Sequence, residues 1–239
     1  MKNNKYTEMQ RSFYDSTADI MAMENHRGHD SNPDYYNLLL KEVKDNSLYW
    51  KDKSALDFGC GIGRNVDNLF KMAPWKNVDG CDISSENIIR AKNFLLQLKY
   101  ENFNLYTTTG TNLSPIEDNQ YDFVMSTIVL QHIAVHEIRT SLLADIYRVM
   151  KPKALFSFQM AQYDSSKIKS AKYYDNVWDA SGTNGAFDVS IDDPQNLIDD
   201  LTKIGYKDIK YEIKPEWDAY NKCYLNSPHS KWIFFKAYK

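Results

Sequence analysis

Glycine and proline are scarce in this 239-residue sequence, at nine and seven, and cysteine is scarcer still, at three. So few chain breakers exclude collagen-like and Pro/Gly-rich disordered classes. Cys60, Cys81 and Cys223 are odd in number and show no C-x-x-C spacing. That excludes a disulfide scaffold or a paired zinc pattern and makes a reducing cytoplasm the natural expectation. No apolar run approaches the roughly 18–20 residues of a membrane span, and Met1-Lys2-Asn3-Asn4-Lys5 leads into no apolar signal core. No membrane partner is expected. An excess of basic charge is missing too: 29 Lys+Arg against 32 Asp+Glu leave a net charge of −3. Duplex nucleic acid needs a basic footprint, so DNA is not expected as a partner.

Aromatic residues, by contrast, are plentiful: 17 Tyr, 11 Phe and 5 Trp. With 43% hydrophobic and 26% charged residues the composition is otherwise that of an ordinary globular domain. Short β-rich runs alternate with helical patterns, the signature of an α/β fold with a mostly parallel sheet. Strands are predicted at 54–58, 78–83, 105–109, 121–130 and 154–160. Helices are predicted at 65–72, from Ser84 or Ser85 to Leu98, and at 135–150, where Lys151-Pro152 stops the last. Residues 162–193 carry Gly182, Gly185 and many aromatics without a clear period, as a lid would. A helix at 194–204 ends at Gly205, and strands at 209–213 and 231–237 close the chain as a hairpin, the last strand antiparallel. Before the first strand, helical patterns at 7–21 and 34–44 suggest a cap. Residues 1–50 thus read as a cap on the single domain formed by 51–239.

The sharpest chemical signal is Leu56-Asp57-Phe58-Gly59-Cys60-Gly61-Ile62-Gly63-Arg64-Asn65. A strand turning abruptly into a helix needs glycine, and the free N–H groups of the helix start face whatever binds there. Dinucleotide folds use G-x-G-x-x-G, whereas the glycines here run 59, 61, 63; a phosphate loop would need Gly-Lys-Ser/Thr, and Gly63 is followed by Arg64-Asn65. Asp57 at the strand end suits an ammonium group better than a pyrophosphate. Asp82, nineteen residues after Gly63, closes the second strand, where a carboxylate can accept both ribose hydroxyls.

Together these segments resemble the class I S-adenosylmethionine-dependent methyltransferases, of the small-molecule type. The glycine loop resembles their first motif, and Gly80-Cys81-Asp82-Ile83-Ser84 their second. Gly110-Thr111-Asn112-Leu113 and the segment from Asp118 to Val124 resemble the adenine-side loop and fourth strand. Ser126 to Ile133 resembles the segment that follows it. The likeness covers roughly 50–160 and, in outline, the closing hairpin; Phe13 to Ala18 is similar to the family's N-terminal cap. It implies a doubly wound seven-stranded sheet with helices on both faces, with S-adenosylmethionine as cofactor and S-adenosylhomocysteine as product. Asp57, Gly59, Cys60, Gly61 and Gly63 would then hold the methionyl part, Asp82 the ribose and Ile83 the adenine face. Gly110, Thr111 and Asn112 would lie by the adenine edge, and Ser126 beside the cofactor. Two departures stand out. Asn112 or Thr111 replaces the acid many members place beside the adenine amine, and Lys151-Pro152-Lys153-Ala154 replaces a Lys-Pro-Gly-Gly turn.

Tyr14, Gln131 and His132, with the 162–193 segment, are expected to enclose a small-molecule acceptor, because ligands of open α/β sheets sit beyond the carboxyl ends of the strands. His132 suits a general base; a structural histidine fits the same pattern. The pairs His132/His136 and His26/His29 have no third ligand, so no metal is expected. Tyr163, Tyr173, Tyr174, Trp178 and Phe187 read as lid packing or as an aromatic box for a cationic amine. Cys60 reads as a small packed residue and Asp122 as structural. The sequence has neither an Asn/Asp-Pro-Pro-Tyr motif nor a Pro-Cys pair, features of DNA methyltransferases. RNA or protein methylation and a non-catalytic cofactor-binding subunit remain alternatives, while the glycine spacing disfavours a nicotinamide-dependent oxidoreductase. Oligomeric state is not legible.

Overall fold

A computed structural model describes residues 2–25, 32–164, 170–179, 188–218 and 221–239, with backbone alone at 2–4 and 19–25. The chain opens with helix α1 (Lys2–Asn25), a π-turn (Tyr35–Leu39), α2 (Lys41–Asp45) and a short 3-10 turn (Ser47–Trp50). β1 (Ser54–Phe58), α3 (Arg64–Met72), β2 (Asn77–Asp82), α4 (Ser85–Gln97), β3 (Leu105–Thr107) and β4 (Tyr121–Ser126) follow. α5 (His136–Val149) leads into β5 (Met150–Tyr163), β6 (Ala171–Lys172) and β7 (Val189–Ser190). α6 (Pro194–Ile204), β8 (Lys207–Pro215), β9 (Trp217–Asp218), β10 (Cys223–Tyr224) and β11 (Ser230–Tyr238) complete it. Of the expected 162–193 lid, 165–169 and 180–187 lie outside the described residues, as do His26, His29, Gly182, Gly185 and Phe187.

The sheet order is β3-β2-β1-β4-β5-β11-β8. β1 to β5 run parallel, and β11 is antiparallel to both β5 and β8. Every residue of β1 is buried, so its side chains feed two cores in alternation. Leu56 and Phe58 join a core with α5 and α6, including Leu142, Ile146, Leu197 and Phe235. Ala55 joins a second core with Val66, Leu69, Trp50, Trp75 and Phe123. This is the doubly wound architecture the sequence predicts.

Local chemistry fixes the boundaries. Ser84 caps α4 by accepting the N–H of Asn87, and Asp193 caps α6 by accepting that of Gln195, with Pro194 in the first turn. Gly205, at φ 118°, ends α6 in the left-handed conformation. Asp122 is structural, accepting from the Ser54 N–H at 3.0 Å and from Lys151 at 2.7 Å. Lys153 takes φ 69° and donates its N–H to the Lys239 carbonyl.

Four boundaries differ from the sequence reading. β4 stops at Ser126, because the next residues turn away into a 3-10 turn at Leu130–His132. β5 is longer than predicted, since α5 runs directly into it and Pro152 is tolerated near its exposed start. The two closing strands are separated by the small β9/β10 ribbon, so they are not a simple hairpin. The N-terminal segment has one long helix, α1, and among its other described residues only a π-turn, the five-residue α2 and a 3-10 turn.

Within β2, buried Asp79 accepts the Tyr121 hydroxyl at 2.8 Å and the Asn104 N–H at 2.8 Å. Tyr121→Phe leaves one carboxylate oxygen without its donor and is expected to cost about 1–3 kcal/mol. The midpoint of urea unfolding will fall, with no change in slope.

Candidate cofactor and acceptor site

β1 and β4 are neighbours, yet their outgoing connections lead to opposite sides of the sheet. A crevice therefore opens at their carboxyl ends. The glycine loop forms its floor. Gly59, Gly61 and Gly63 take φ values of 75°, 50° and 91°. A β-carbon at Gly59 would lie 2.3 Å from Val129 Cγ2, so only hydrogen fits there, whereas one at Gly61 would meet nothing within 4 Å. Gly63 caps α3, and its close approach to Ala91 and Leu95 serves helix packing. Gly59 and Cys60 both donate their N–H groups to the Cys81 carbonyl, tying the loop to β2.

Asp82 joins the loop to α4. Its Oδ2 accepts the Gly61 N–H at 2.9 Å and its Oδ1 the Ser84 N–H at 2.8 Å, with the Asn87 amide at 3.5 Å. Burial pushes its carboxyl pKa up, and these three donors hold it back.

Over the crevice lies α1. Arg11 donates to the Ile83 and Thr108 carbonyls, and Asp15 accepts from the Ser84 hydroxyl at 2.5 Å and the Glu86 N–H at 3.3 Å. The Tyr6 hydroxyl accepts the Ala134 N–H at 2.7 Å. Gly110, at φ 83°, leaves room for Ile83 and Thr7, since a β-carbon there would stand 2.4 Å from Ile83 Cδ1.

The result is a cavity of about 330 Å³. Its wall includes Gly59, Cys60, Gly61, Arg64, Asp82, Ile83, Gly110, Tyr14 and His132, with Tyr6, Thr7 and Gln10 from α1. Five expected site residues are not on that wall, beside the packed Gly63. Ser126 is buried and donates to the Phe58 carbonyl at 3.0 Å, clasping β1 to β4. Thr111 and Asn112 are held by the loop itself, which folds around the Thr109 hydroxyl. Gln131 is buried behind the wall and accepts from Gln159 at 3.2 Å; Gln159 in turn accepts the Ile128 N–H at 2.9 Å. That bracing matters because Ile128 has φ 55°, a left-handed conformation costly for a β-branched residue. The fifth is Asp57, fully buried beneath the loop, with no hydrogen-bond partner for either oxygen among the described residues. Burial pushes its carboxyl up to about 7, although Arg64 and Asn65 pull it down.

In the same wall His132 meets a partner that the sequence reading missed. Its Nδ1 lies 2.6 Å from Asp188 Oδ1, and the Tyr163 hydroxyl donates to the other oxygen at 3.3 Å. A carboxylate only accepts, so this contact places the proton on Nδ1 and leaves the Nε2 lone pair unused by Asp188. The Tyr14 ring centroid is 6.5 Å from that of His132. Burial, reinforced by Asp82 and Asp188, pushes the Tyr14 phenol well above its usual range, so it is a neutral donor. His136 faces elsewhere, bonded at 2.7 Å to Asp200, which also accepts from Tyr173 at 2.9 Å. The two histidines therefore do not converge, and no group of three metal-ligating side chains forms among the described residues. Trp178 packs edge-on against Tyr6, and Tyr173 is buried.

Residues 56–158 match the family model described as a methyltransferase domain. This segment is similar to a methyltransferase domain. Among curated proteins, phosphoethanolamine N-methyltransferase 2 of Caenorhabditis elegans is 30% identical over 146 residues, 59% of this chain and 32% of that one. The chain thus spans about a third of that relative's length. Phosphoethanolamine N-methyltransferase 2 of Haemonchus contortus, solved with phosphomonomethylethanolamine and S-adenosylhomocysteine, superposes with a TM-score of 0.62 at 19% identity. The match covers 85% of this chain and 52% of that one. The 1,6-didemethyltoxoflavin-N1-methyltransferase of Burkholderia thailandensis, with its substrate and S-adenosylhomocysteine bound, gives 0.67 at 15% identity over 98% and 88% of the two chains. At such identities the superpositions establish the methyltransferase fold. No helix among the described residues is long and apolar enough to cross a membrane.

The buried, unpartnered Asp57 makes a testable claim on stability. Its folded pKa is raised above the unfolded value. The folded state therefore retains a proton that the unfolded state gives up between about pH 4 and pH 7, and stability falls as pH rises through that window. Asp57→Asn removes the buried charge and is expected to raise the melting temperature of the ligand-free protein at pH 8, at about 2–4 °C per kcal/mol for a domain of this size. At pH 4 the same substitution will be close to neutral. Differential scanning calorimetry at the two pH values checks both.

Proposed function

We propose that this protein is an S-adenosylmethionine-dependent methyltransferase acting by in-line displacement on a small molecule, with nitrogen favoured over oxygen or carboxylate as the methylated atom. One arrangement carries the reading: a single cavity is lined by the glycine loop, Asp82 and His132, and His132 is bonded in turn to Asp188. The named N-methyltransferases among its relatives support the choice of nitrogen.

The cavity suits the cofactor in three respects. Gly61 offers open space where a side chain would intrude. Asp82 retains lone pairs for ribose hydroxyls while two backbone N–H groups hold it still. The buried Asp57 carboxyl beneath the loop, whose oxygens have no hydrogen-bond partner among the described residues, favours a cationic amine above it. When bound, the cofactor supplies a methyl group already activated on a sulfonium. What remains for the protein is alignment and the exclusion of water. Helix α1 contributes both by spanning the crevice and presenting Gln10 and Tyr14 to it. His132 Nε2 then accepts the proton of an incoming ammonium, Asp188 stabilises the resulting imidazolium, and Tyr14 donates a hydrogen bond to orient the acceptor.

The decisive experiment incubates purified protein with the cofactor and panels of small amines (phosphoethanolamine included), phenols and carboxylates, and reads S-adenosylhomocysteine release. Turnover is expected with an amine. Binding of S-adenosylhomocysteine without release on any panel would favour a non-catalytic subunit. His132→Ala is expected to lower kcat by about 100-fold or more, with S-adenosylhomocysteine affinity unchanged by calorimetry. Asp188→Asn should lower kcat while leaving KM near its original value, because the asparagine amide no longer fixes the Nδ1 proton.

A further inference from the structure

The central sheet ends at β8, which pairs with β11 on one side and has no strand on its other edge among the described residues. Its nine residues, Lys207-Asp208-Ile209-Lys210-Tyr211-Glu212-Ile213-Lys214-Pro215, are mostly exposed, including Tyr211 and Ile213 at 45% and 38%. Tyr211 and Ile213 lie opposite the buried Phe235 and Ile233, so they continue an apolar sheet face that stops without cover. Lysine on an edge strand normally blocks pairing with another chain. A uniform positive edge would do so, but this one alternates in sign.

The order of those signs is self-complementary. Placed antiparallel to a second copy about a two-fold axis at Tyr211, the strand sets Lys210 against Glu212 twice and Ile209 against Ile213 twice. Each Asp208 then falls opposite a Lys214, at the left-handed turn (φ 49°) that ends the regular stretch. The two tyrosines face each other on the apolar side, and the four opposite-charge pairs share the other side. Shifting the register by two residues one way opposes Glu212 to itself and Lys210 to Lys214. Shifting it the other way opposes Lys210 to itself and Asp208 to Glu212. Like charges thus penalise both neighbouring registers, and only the central one is attractive. This is the property that an isologous two-fold interface demands of its sequence.

We infer that β8 is a homodimer interface: two copies join edge to edge in the Tyr211-centred register, giving one continuous sheet through both. The pairing buries a modest area, so the dimer dissociates on dilution.

Sedimentation velocity on the full chain over a dilution series tests this. The natural sequence is expected to sediment as a dimer that dissociates at low concentration. Lys210→Glu alone places Glu against Glu, and Glu212→Lys alone places Lys against Lys, so each should be monomeric at every concentration. Both side chains are exposed, and circular dichroism will show the fold retained. The double exchange restores the dimer. An equimolar mixture of the two single variants forms a heterodimer, because every Glu then faces a Lys. A natural sequence that stays monomeric, a dimer indifferent to either single change, or a mixture that fails to associate would overturn the proposal.

Discussion

One carboxylate holds the crevice together. Asp82 accepts a backbone N–H from the glycine loop and another from the start of α4, so two segments that could otherwise move apart share one fixed anion. Each of these charge-assisted bonds is stronger than a neutral one. The rest of the site is referenced to this point. Ser84, placed by Asp82, holds Asp15 and so brings α1 over the opening, and Ile83 beside it accepts Arg11 and shapes the wall against Gly110. The residue assigned to the ribose is thus also the post on which the roof hangs.

Two parts of the cavity wall are held differently. Around the glycine loop, rigidity comes from backbone donors and from Gly59, which admits no side chain. Around His132 it comes from side chains remote in sequence: His132 on Asp188, and the strained Ile128 turn braced by Gln159, which also bonds Gln131. A second anchorage runs through Arg139 to the Ile133 and Tyr173 carbonyls and through His136 and Tyr173 to Asp200.

Legibility followed from the range of the interactions. The loop from Asp57 to Gly63 and the carboxylate at Asp82 could be read because each depends on local backbone geometry, which dictates residue type at fixed spacing. The polar stripe Thr7, Gln10, Arg11 and Tyr14 on α1 escaped attention except for Tyr14, since hydrophobic periodicity is blind to a helix face that packs on carbonyls and ligand space. Position past the carboxyl end of the fourth strand points Gln131 at the acceptor. The 3-10 turn rotates it into the protein instead, where it satisfies Gln159.

The sequence by itself determined the strand and helix alternation, the glycine turn, the two acids at the ends of β1 and β2, and the helix ends at Ser84 or Ser85 and at Gly205. All of these are short-range consequences of backbone sterics and capping. Tertiary structure alone decided that Asp188, fifty-six residues from His132, is its partner, that Asp57 is buried with no donor among the described residues, and that β8 lies at one edge of the sheet. The physical reason is the same in each case. Pairing across the fold and removal from water depend on where distant segments come to rest, and no spacing along the chain records that.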